Sequence, residues 1–330
     1  MVHDDTGQRH LVARACAKAI VTGEHFVVWG GTALAIPIHQ ARVTVRISAS
    51  PASRNRISLA EDNAVVGTRS ALIAARKAAS AVLREQRYSA RVSSNSTFPA
   101  SAGLGGSAAF SVALCKALLR LAGQRGDPGL IAQLALDMER VFHGHPSGID
   151  STTIAYARPC FVKTGSGFAA APTRKTGGPF AGFLDIPPGA SFVLAWSGEY
   201  GDTRSAIQKV MAMAGEPKGA LVLQRLTAVA DTISLQAASA FRKGDFEFAG
   251  AMMNENQLLL RAIEVSTTKL DALAESALGA GALGAKMTGG GLGGFIIALC
   301  WPDDEERITH HLRMAGAPLV FTQPTSRFNP

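Results

Sequence analysis

The segment Pro99-Ala-Ser-Ala-Gly-Leu-Gly-Gly-Ser-Ala-Ala109 restricts what this chain can fold into more than any other feature. Its glycines run directly into residues 107–122, where Phe110, Leu114 and Leu118 recur at helical spacing. Glycines let backbone N–H groups approach an anion closely, and a helix N-terminus adds unpaired donors and partial positive charge. The segment predicts either a phosphate-binding loop or a tight turn with Ser107 at the start of the helix. It is not a Walker P-loop, because the chain contains no Gly-Lys dipeptide.

Length and composition indicate a globular protein that binds an anionic small molecule. The 330 residues suit two domains or one large α/β unit, and 47% hydrophobic residues are too many for a disordered chain. The net charge of +8 suits a nucleotide or a nucleic acid. The basic residues are spread through the predicted helices and form no dense block with interleaved aromatics. We therefore expect a small-molecule ligand and no nucleic acid.

The cysteines and the apolar segments exclude several other classes. The four cysteines stand far apart without a Cys-x-x-Cys pair, which argues against structural zinc and a dithiol redox site. Cys115 and Cys300 lie in apolar runs and are predicted core residues. The N-terminus has no apolar signal region, and no segment reaches about 18 uninterrupted apolar residues. We expect a cytoplasmic protein that does not enter a membrane.

Local patterning predicts a mixed α/β chain. Alternation of Val43, Val45 and Ile47 with polar residues predicts a half-buried strand. Gly, Ser and Pro between Ser93 and Gly106 predict a loop. Further strands are predicted at 192–196 and 295–299, and helices at 61–86, 107–122, 130–142, 203–214, 218–242, 245–263 and 267–281. Gly and Pro concentrate at 164–190, which predicts a boundary between domains at 1–185 and 186–330.

The second glycine cluster is Thr288-Gly-Gly-Gly-Leu-Gly-Gly294. Three of its glycines fit the spacing G-x-G-x-x-G, which in a dinucleotide-binding protein follows a strand and opens a helix. Here the pattern predicts a helix before the glycines and a strand after them. This context argues against an oxidoreductase and favours glycine backbone that packs against another loop or a ligand.

Two further segments place titratable residues where chemistry could occur. Glu139 precedes the rigid turn His143-Gly-His-Pro-Ser-Gly-Ile-Asp150, so one carboxylate could accept a proton while the other holds a divalent cation. The His-x-His pair has no third nitrogen or sulfur ligand nearby, which disfavours a histidine metal site. Lys18, Glu24 and His25 lie near the ends of apolar strands, as catalytic residues or as surface charges of a hairpin would.

Together and in this order, these segments resemble those of the GHMP kinases. The first motif has Lys18 followed by Gly23-Glu24-His25, and the second has Gly103 to Ala109. An intact Pro146-Ser-Gly-Ile-Asp150 resembles the branch that phosphorylates mevalonate, and the segments Met253-Asn-Glu-Asn-Gln-Leu-Leu-Leu260 and Gly284-Ala-Lys-Met-Thr-Gly289 also match. The resemblance spans about residues 18 to 300.

The resemblance implies a two-domain α/β (α+β) fold, with an N-terminal domain like ribosomal protein S5 domain 2 and a ferredoxin-like C-terminal domain. It implies an active site in the cleft between them, ATP and Mg²⁺ as cofactors, and mevalonate as the favoured acceptor. By resemblance, Asp150 is the catalytic base, and Lys18 polarises the acceptor hydroxyl and pairs with Asp150. The implied Mg²⁺ ligands are Ser107 and Glu139. The implied phosphate-binding residues are Gly103, Leu104, Gly105, Gly106, Ser107 and Ala108, and the implied acceptor-side residues are Glu24, His25 and Thr203.

Departures from the family pattern leave alternatives open. The usual Pro-Gly before Lys18 is Cys16-Ala17, Gly106 replaces a common Ser, and Gly290 stands where Ala is usual. The same catalytic core would serve a kinase for phosphomevalonate, a sugar or homoserine. A nucleotide-binding sensor without catalysis is a second alternative, against which the retained Lys18, Glu139 and Asp150 argue. A homodimer is left open.

Overall fold

A computed structural model describes residues 2–3, 8–60, 68–84, 86–143, 146–164 and 180–328. Parts of three predictions lie outside the described residues. These are residues 61–67 and 85 of the helix predicted at 61–86, residues 144–145 of the turn predicted at 143–150, and residues 165–179 of the boundary predicted at 164–190.

Strands and helices occur in runs along the described chain. The strands are β1 Val2–His3, β2 Arg9–Thr22, β3 Thr32–Pro51, β4 Arg56–Leu59, β5 Tyr88–Ser96, β6 Cys160–Lys163, β7 Phe180–Phe183, β8 Ser191–Trp196, β9 Gly284–Thr288, β10 Phe295–Cys300 and β11 Val320–Pro324. The helices are α1 Thr68–Leu83, α2 Gly106–Leu121, α3 Pro128–His143, α4 Ile149–Tyr156, α5 Thr203–Gly215, α6 Pro217–Lys243, α7 Phe246–Ala262, α8 Thr268–Gly279 and α9 Glu305–Met314. Short 3₁₀ turns occur at Phe26–Trp29, Pro302–Asp304 and Thr325–Arg327.

The chain forms two compact units, each built from separate stretches of sequence. Unit 1 comprises Met1–Ala17, Ala41–Ala100 and Gly105–Ala157. Unit 2 comprises Lys18–Gln40, Ser101–Leu104 and Arg158–Pro330. Strands β2 and β3 therefore contribute residues to both units. The predicted division at residue 185 stays a prediction.

Unit 1 packs helices α1 to α4 against one another and carries strands in the order β1-β2-β3-β5-β4. The predicted alternation in β3 is confirmed, since Val43, Val45 and Ile47 are buried while Arg46 is exposed. The loop predicted from Ser93 is wrong for its first four residues, because β5 continues through Ser96 and pairs antiparallel with β3. Pairing with a distant strand overrides the local signal of Ser and Asn there.

Unit 2 contains an antiparallel sheet with the strand order β11-β8-β10-β9. Helices α7 and α8 pack on β9, and the core includes Leu260, Met287 and Ile296. The helix predicted before the second glycine cluster is confirmed as α8, but the sequence did not predict strand β9, which lies between α8 and the glycines and pairs with β10 in register. The cluster is thus the turn of a β-hairpin, a context that no dinucleotide fingerprint uses.

Most local predictions in the described residues are confirmed. Helices occur over the described parts of every predicted helical range, and strands β8 and β10 match the predicted 192–196 and 295–299. Cys115 and Cys300 are fully buried. Within the described residues, no helix has the length and apolar character needed to cross a membrane.

Candidate active site

The first half of the glycine-rich loop lies in unit 2, against the second glycine cluster. A Cβ added to Gly103 would meet the carbonyl oxygen of Thr288 at 2.8 Å, and one added to Gly289 would meet the carbonyl oxygen of Gly103 at 2.5 Å. Both glycines also have positive φ, at 86° and 87°. Only glycine permits this approach of two backbones. The structure therefore brings the two predicted glycine segments together at this point.

The second half of the loop begins helix α2 of unit 1. Gly105 precedes the helix with a φ of 70° and provides no side-chain cap. The first turn of α2 therefore presents backbone N–H groups that no capping side chain occupies. Together with the helix dipole, these donors suit a phosphate group. Gly106, Ser107 and Ala108 form this first turn, as the predicted nucleotide-binding loop requires.

Ser107 and Glu139 meet in unit 1, one on α2 and the other on α3. The Ser107 hydroxyl donates to Glu139 Oε2 at 3.0 Å, and the Ser111 hydroxyl donates to Glu139 Oε1 at 3.3 Å. Ser107 and Ser111 lie one helical turn apart, which lets both reach the same carboxylate. Glu139 is 3% exposed. A carboxylate at such depth needs hydroxyl donors, a cation or a metal ion.

His143 adds a fourth polar side chain to this group. Its Nε2 lies 3.1 Å from the Ser107 hydroxyl and 3.6 Å from Glu139 Oε2. His143 follows Glu139 by one turn of α3 and is exposed, whereas Glu139 is buried. The sequence predicted only that His143 lies in a loop and did not predict its contact with Ser107.

The Ser107 and Glu139 oxygens fit the geometry of a Mg²⁺ site. At metal–oxygen distances of about 2.1 Å, neighbouring oxygens of an octahedron are about 2.9 Å apart. The separation of 3.0 Å between the two oxygens, which are hydrogen-bonded in this structure, is close to that edge. Among the described residues, no three His, Cys, Asp or Glu side chains gather as a metal site. The protein would thus supply two oxygens and leave the other positions to water and phosphate, as Mg²⁺ usually prefers.

Asp150 lies in the first turn of helix α4 in unit 1, not in the predicted loop. Gly148 precedes the helix with a φ of 84°, and Ser147 Oγ accepts a hydrogen bond from the Ile149 N–H at 3.4 Å. The Asp150 side chain remains partly exposed. These properties suit a residue that must accept a proton.

Lys18 is a buried residue of β2 in unit 2, with 3% of its surface exposed. Its backbone N–H donates to the carbonyl of Leu104 at 3.1 Å, which ties it to the glycine-rich loop. A lysine is rarely buried this far without a function or a partner. The alternative of a surface charge on a hairpin is therefore wrong for Lys18. Its predicted pairing with Asp150, a residue of unit 1, stays a prediction.

Glu24 is also buried, with 2% of its surface exposed, and it pairs with Lys286 of β9. Glu24 Oε2 accepts a hydrogen bond from the Asn256 side chain on α7 at 3.1 Å. Burial lowers the pKa of Lys286, while the Glu24 carboxylate opposes this shift. Both oxygens of Glu24 are therefore engaged by protein groups.

His25 follows with a positive φ of 64° and a ψ of −43°, a backbone conformation that is rare for residues other than glycine. Its Nε2 lies 2.9 Å from the carbonyl oxygen of Gly290. Because a carbonyl only accepts, we assign the ring proton to Nε2. Burial lowers the pKa of His25 to about 4, the nearby Lys286 contributes in the same direction, and the bond to Gly290 opposes it. His25 is therefore neutral at physiological pH.

Thr203 and His25, both predicted on the acceptor side, meet at Gly290. Thr203 begins helix α5, and a Cβ added to Gly290 would lie 2.3 Å from its hydroxyl oxygen. This contact explains why Gly290 replaces the alanine that is usual in the resembling family. His25 binds the carbonyl of the same residue.

Lys286 and Asn256 are the residues whose importance sequence inspection missed. Lys286 is the one charged residue in the strand Gly284-Ala-Lys-Met-Thr288, all of which is buried. Asn256 is a polar residue on the buried face of α7. A lone charge inside an apolar strand signals a buried partner, but the sequence does not identify Glu24, which lies 262 positions away.

Comparison with known proteins identifies relatives across the whole chain. Residues 71–158 match the family described as "GHMP kinases N terminal domain", and residues 237–316 match "GHMP kinases C terminal". A mevalonate kinase of Pyrococcus furiosus is 30% identical over 95% of this chain and 96% of its own length. A mevalonate kinase of Aeropyrum pernix is 32% identical over 91% of each.

A solved structure is similar over nearly the same extent. The crystal structure of L. major mevalonate kinase in complex with R-mevalonate has a TM-score of 0.76 and 25% sequence identity to this chain. The match covers 96% of this chain and 97% of that one.

Proposed function

The chain belongs to the GHMP kinases, and on that premise we propose that it transfers the γ-phosphate of ATP to mevalonate, forming 5-phosphomevalonate for isoprenoid precursor synthesis. The observation that carries the choice of acceptor is similarity along the full chain to proteins named mevalonate kinase, at 30% and 32% identity. The structural likeness to an enzyme that holds R-mevalonate supports the same acceptor.

The nucleotide is held by the glycine-rich loop and the first turn of α2. Backbone N–H groups of Gly103, Leu104, Gly105, Gly106, Ser107 and Ala108 bind its phosphates. The unoccupied donors at the start of α2 support this assignment. Glycine at 103 and 105 leaves the backbone open to phosphate oxygens, since neither residue carries a side chain that would block them.

Ser107 and Glu139 hold Mg²⁺ beside the phosphates. When bound, the ion neutralises charge on the transferring phosphoryl group. The 3.0 Å separation of the two oxygens supports this assignment. Glu139 is fixed by Ser111 as well, so its carboxylate is oriented before the ion arrives.

Asp150 and Lys18 act on the acceptor hydroxyl. Asp150 accepts the hydroxyl proton as the oxygen attacks phosphorus, and Lys18 stabilises the negative charge that develops on that oxygen. Glu24, His25 and Thr203 belong to the acceptor side. Phosphoryl transfer needs positioning and charge neutralisation more than covalent chemistry, and these residue types supply both.

Other acceptors remain the alternative that an experiment must address. We expect ADP release from ATP in the presence of mevalonate, measured with a coupled assay, and no comparable release with phosphomevalonate, galactose or homoserine. Activity with one of those three and none with mevalonate would keep the kinase and overturn the acceptor. No ADP release with any acceptor, in a protein that binds ATP, would favour a nucleotide sensor.

A further inference from the structure

Three polar side chains lie buried together in unit 2, one in the turn Gly23-Glu24-His25 and two behind it. Lys286 and Asn256 have no exposed surface, and Glu24 has 2%. They come from three separate elements, namely strand β9, helix α7 and the turn after β2. Charged side chains are almost never buried so completely unless they are paired.

Lys286 and Asn256 both bind the carboxylate of the turn, and Asn256 also binds its backbone. Lys286 forms an ion pair with one oxygen of Glu24, and the Asn256 amide donates to the other at 3.1 Å. The oxygen of the same Asn256 amide accepts the backbone N–H of Gly23 at 2.9 Å. Asn256 thus binds two consecutive residues of the turn, while Lys286 fixes the carboxylate from the β9 side.

The turn requires such support because its backbone is unusual. Gly23 has a φ of 88°, and a Cβ there would lie 2.0 Å from the Thr32 carbonyl oxygen. His25 has a φ of 64°, a conformation that a residue with a Cβ adopts only when its surroundings impose it. The ring of His25 is then directed to the carbonyl of Gly290, the residue that also contacts Thr203.

A buried ion pair adds little net stability compared with apolar side chains of similar volume. Stability alone therefore does not account for Lys286 and Glu24 in this core. The network does supply direction, since both bonds of Asn256 and the ion pair of Lys286 end on the turn that carries His25, while Lys286 also donates to the carbonyl of Met287.

We propose that Lys286 and Asn256 are positioning residues for the acceptor side of the reaction. Glu24 is the carboxylate that they hold, and it acts by supporting His25 rather than by touching the acceptor. This inference rests on the proposed function, because it takes His25 and Thr203 to line the acceptor site. It reassigns Glu24, which resemblance places beside the acceptor, to the support of His25.

The test compares two asparagines of the same helix. Asn256→Ala removes both bonds to the turn, whereas Asn254→Ala removes bonds to Leu283 and Ala285 and leaves the turn intact. We expect Asn256→Ala to raise the KM for mevalonate by at least about tenfold, because a small displacement of a positioning group is costly. The KM for ATP should stay within twofold. Asn254→Ala should leave both KM values within twofold of the wild type.

A second variant guards against a purely structural effect. Lys286→Met with Glu24→Gln removes both charges and keeps a side chain that Asn256 can bind. We expect a melting temperature near that of the wild type, yet a mevalonate KM again raised about tenfold. A stable double variant with kcat and both KM values within twofold of the wild type would overturn the proposal.

A measurement without turnover separates this inference from the proposed function. In protein labelled with ¹⁵N-histidine, the ring N–H signal of His25 is identified by its absence in His25→Asn. We expect it to be sharp in the wild type and in Asn254→Ala, and lost or broadened in Asn256→Ala. An unchanged signal in Asn256→Ala contradicts the positioning role, whatever the acceptor. If the wild type uses another acceptor, the proposed function fails and the same KM comparison on that acceptor still tests the positioning role.

Discussion

The hydroxyl of Ser107 lies 3.0 Å from the carboxylate of Glu139, although the two residues are 32 positions apart and belong to different helices. The contact places a hydroxyl and a buried carboxylate at the spacing of neighbouring ligands in a Mg²⁺ octahedron. It also lies in the first turn of α2, where the nucleotide phosphates are proposed to bind.

Glu139→Gln should raise the Mg²⁺ concentration needed for half-maximal activity by ~10-fold or more, since even a lost outer-sphere partner weakens metal binding to that degree. The amide keeps the shape of the side chain but loses its charge and one of the two oxygens that accept from Ser107 and Ser111. ADP release measured over a Mg²⁺ titration at saturating ATP gives the value. Asp137→Asn, an exposed change on the same helix, is the control and should show wild-type dependence. Wild-type dependence in Glu139→Gln would remove Glu139 from the metal site.

His25 should make stability depend on pH. Its pKa is about 4 in the folded protein, against about 6.5 for a free histidine, so the unfolded state binds more protons between these values. The free energy of unfolding therefore rises with pH through this window. It falls by at most about 3 kcal/mol as the pH drops from 6.5 toward 4. Because the His25 side chain is partly exposed, the measured change in the free energy of unfolding is smaller.

Urea denaturation at pH 4.5, 5.5 and 7 measures this dependence in the wild type and in His25→Asn. Asparagine is among the residues that most often adopt a positive φ, and it does not titrate. We expect a shallower slope in His25→Asn, while His310→Asn, a change at an exposed residue of α9, should keep the wild-type slope. Equal slopes in all three proteins would count against a depressed pKa at His25.

Gly290→Ala should destabilise the protein by about 1–3 kcal/mol, as overpacking of a close contact does. The added Cβ would lie 2.3 Å from the Thr203 hydroxyl, so Thr203 or the hairpin must move. Gly279→Ala is the matched control, because a Cβ there meets nothing within 4 Å. Denaturation midpoints of the two variants test the prediction. A Gly290→Ala variant as stable as the wild type would contradict the prediction. It would show that the hairpin accommodates the methyl group without cost, as the family members with alanine at this position do.

Lys286→Met should cost about 3–5 kcal/mol of stability, because it leaves the buried carboxylate of Glu24 without its cation. Adding Glu24→Gln should restore most of this loss, since the charge is then gone from both sides. The free energies of unfolding of the two single variants and the double variant give the coupling directly. A double variant no more stable than Lys286→Met would mean that the two side chains do not act as a pair.

Local patterns predicted the elements that depend on nearby residues. The apolar residues predicted α2 correctly because that helix is buried on nearly all sides. Glycine placement likewise predicted the loop before it. The roles of Ser107 and Glu139 came from the family resemblance, and the structure adds the distance that makes them plausible ligands.

Long-range pairing accounts for what sequence inspection missed. The end of β5 is a strand because the distant strand β3 pairs with it, and β9 is a strand because it pairs with β10 across the glycine turn. The ion pair of Glu24 with Lys286 joins residues 262 positions apart. Neither spacing nor periodicity carries such information, since both describe only neighbours along the chain.

The most direct test of the central claim is the turnover number of Asp150→Asn with mevalonate and saturating ATP. The asparagine keeps the shape of the side chain but cannot accept the hydroxyl proton, so kcat should fall by about 10²–10⁴-fold. The KM for ATP should change little, because the proposed phosphate-binding residues are at 103–108. Wild-type protein that phosphorylates mevalonate, with Asp150→Asn reduced to that degree, is the predicted result. Near-normal turnover of Asp150→Asn on mevalonate would contradict the assignment of Asp150 as the base and the mechanism built on it.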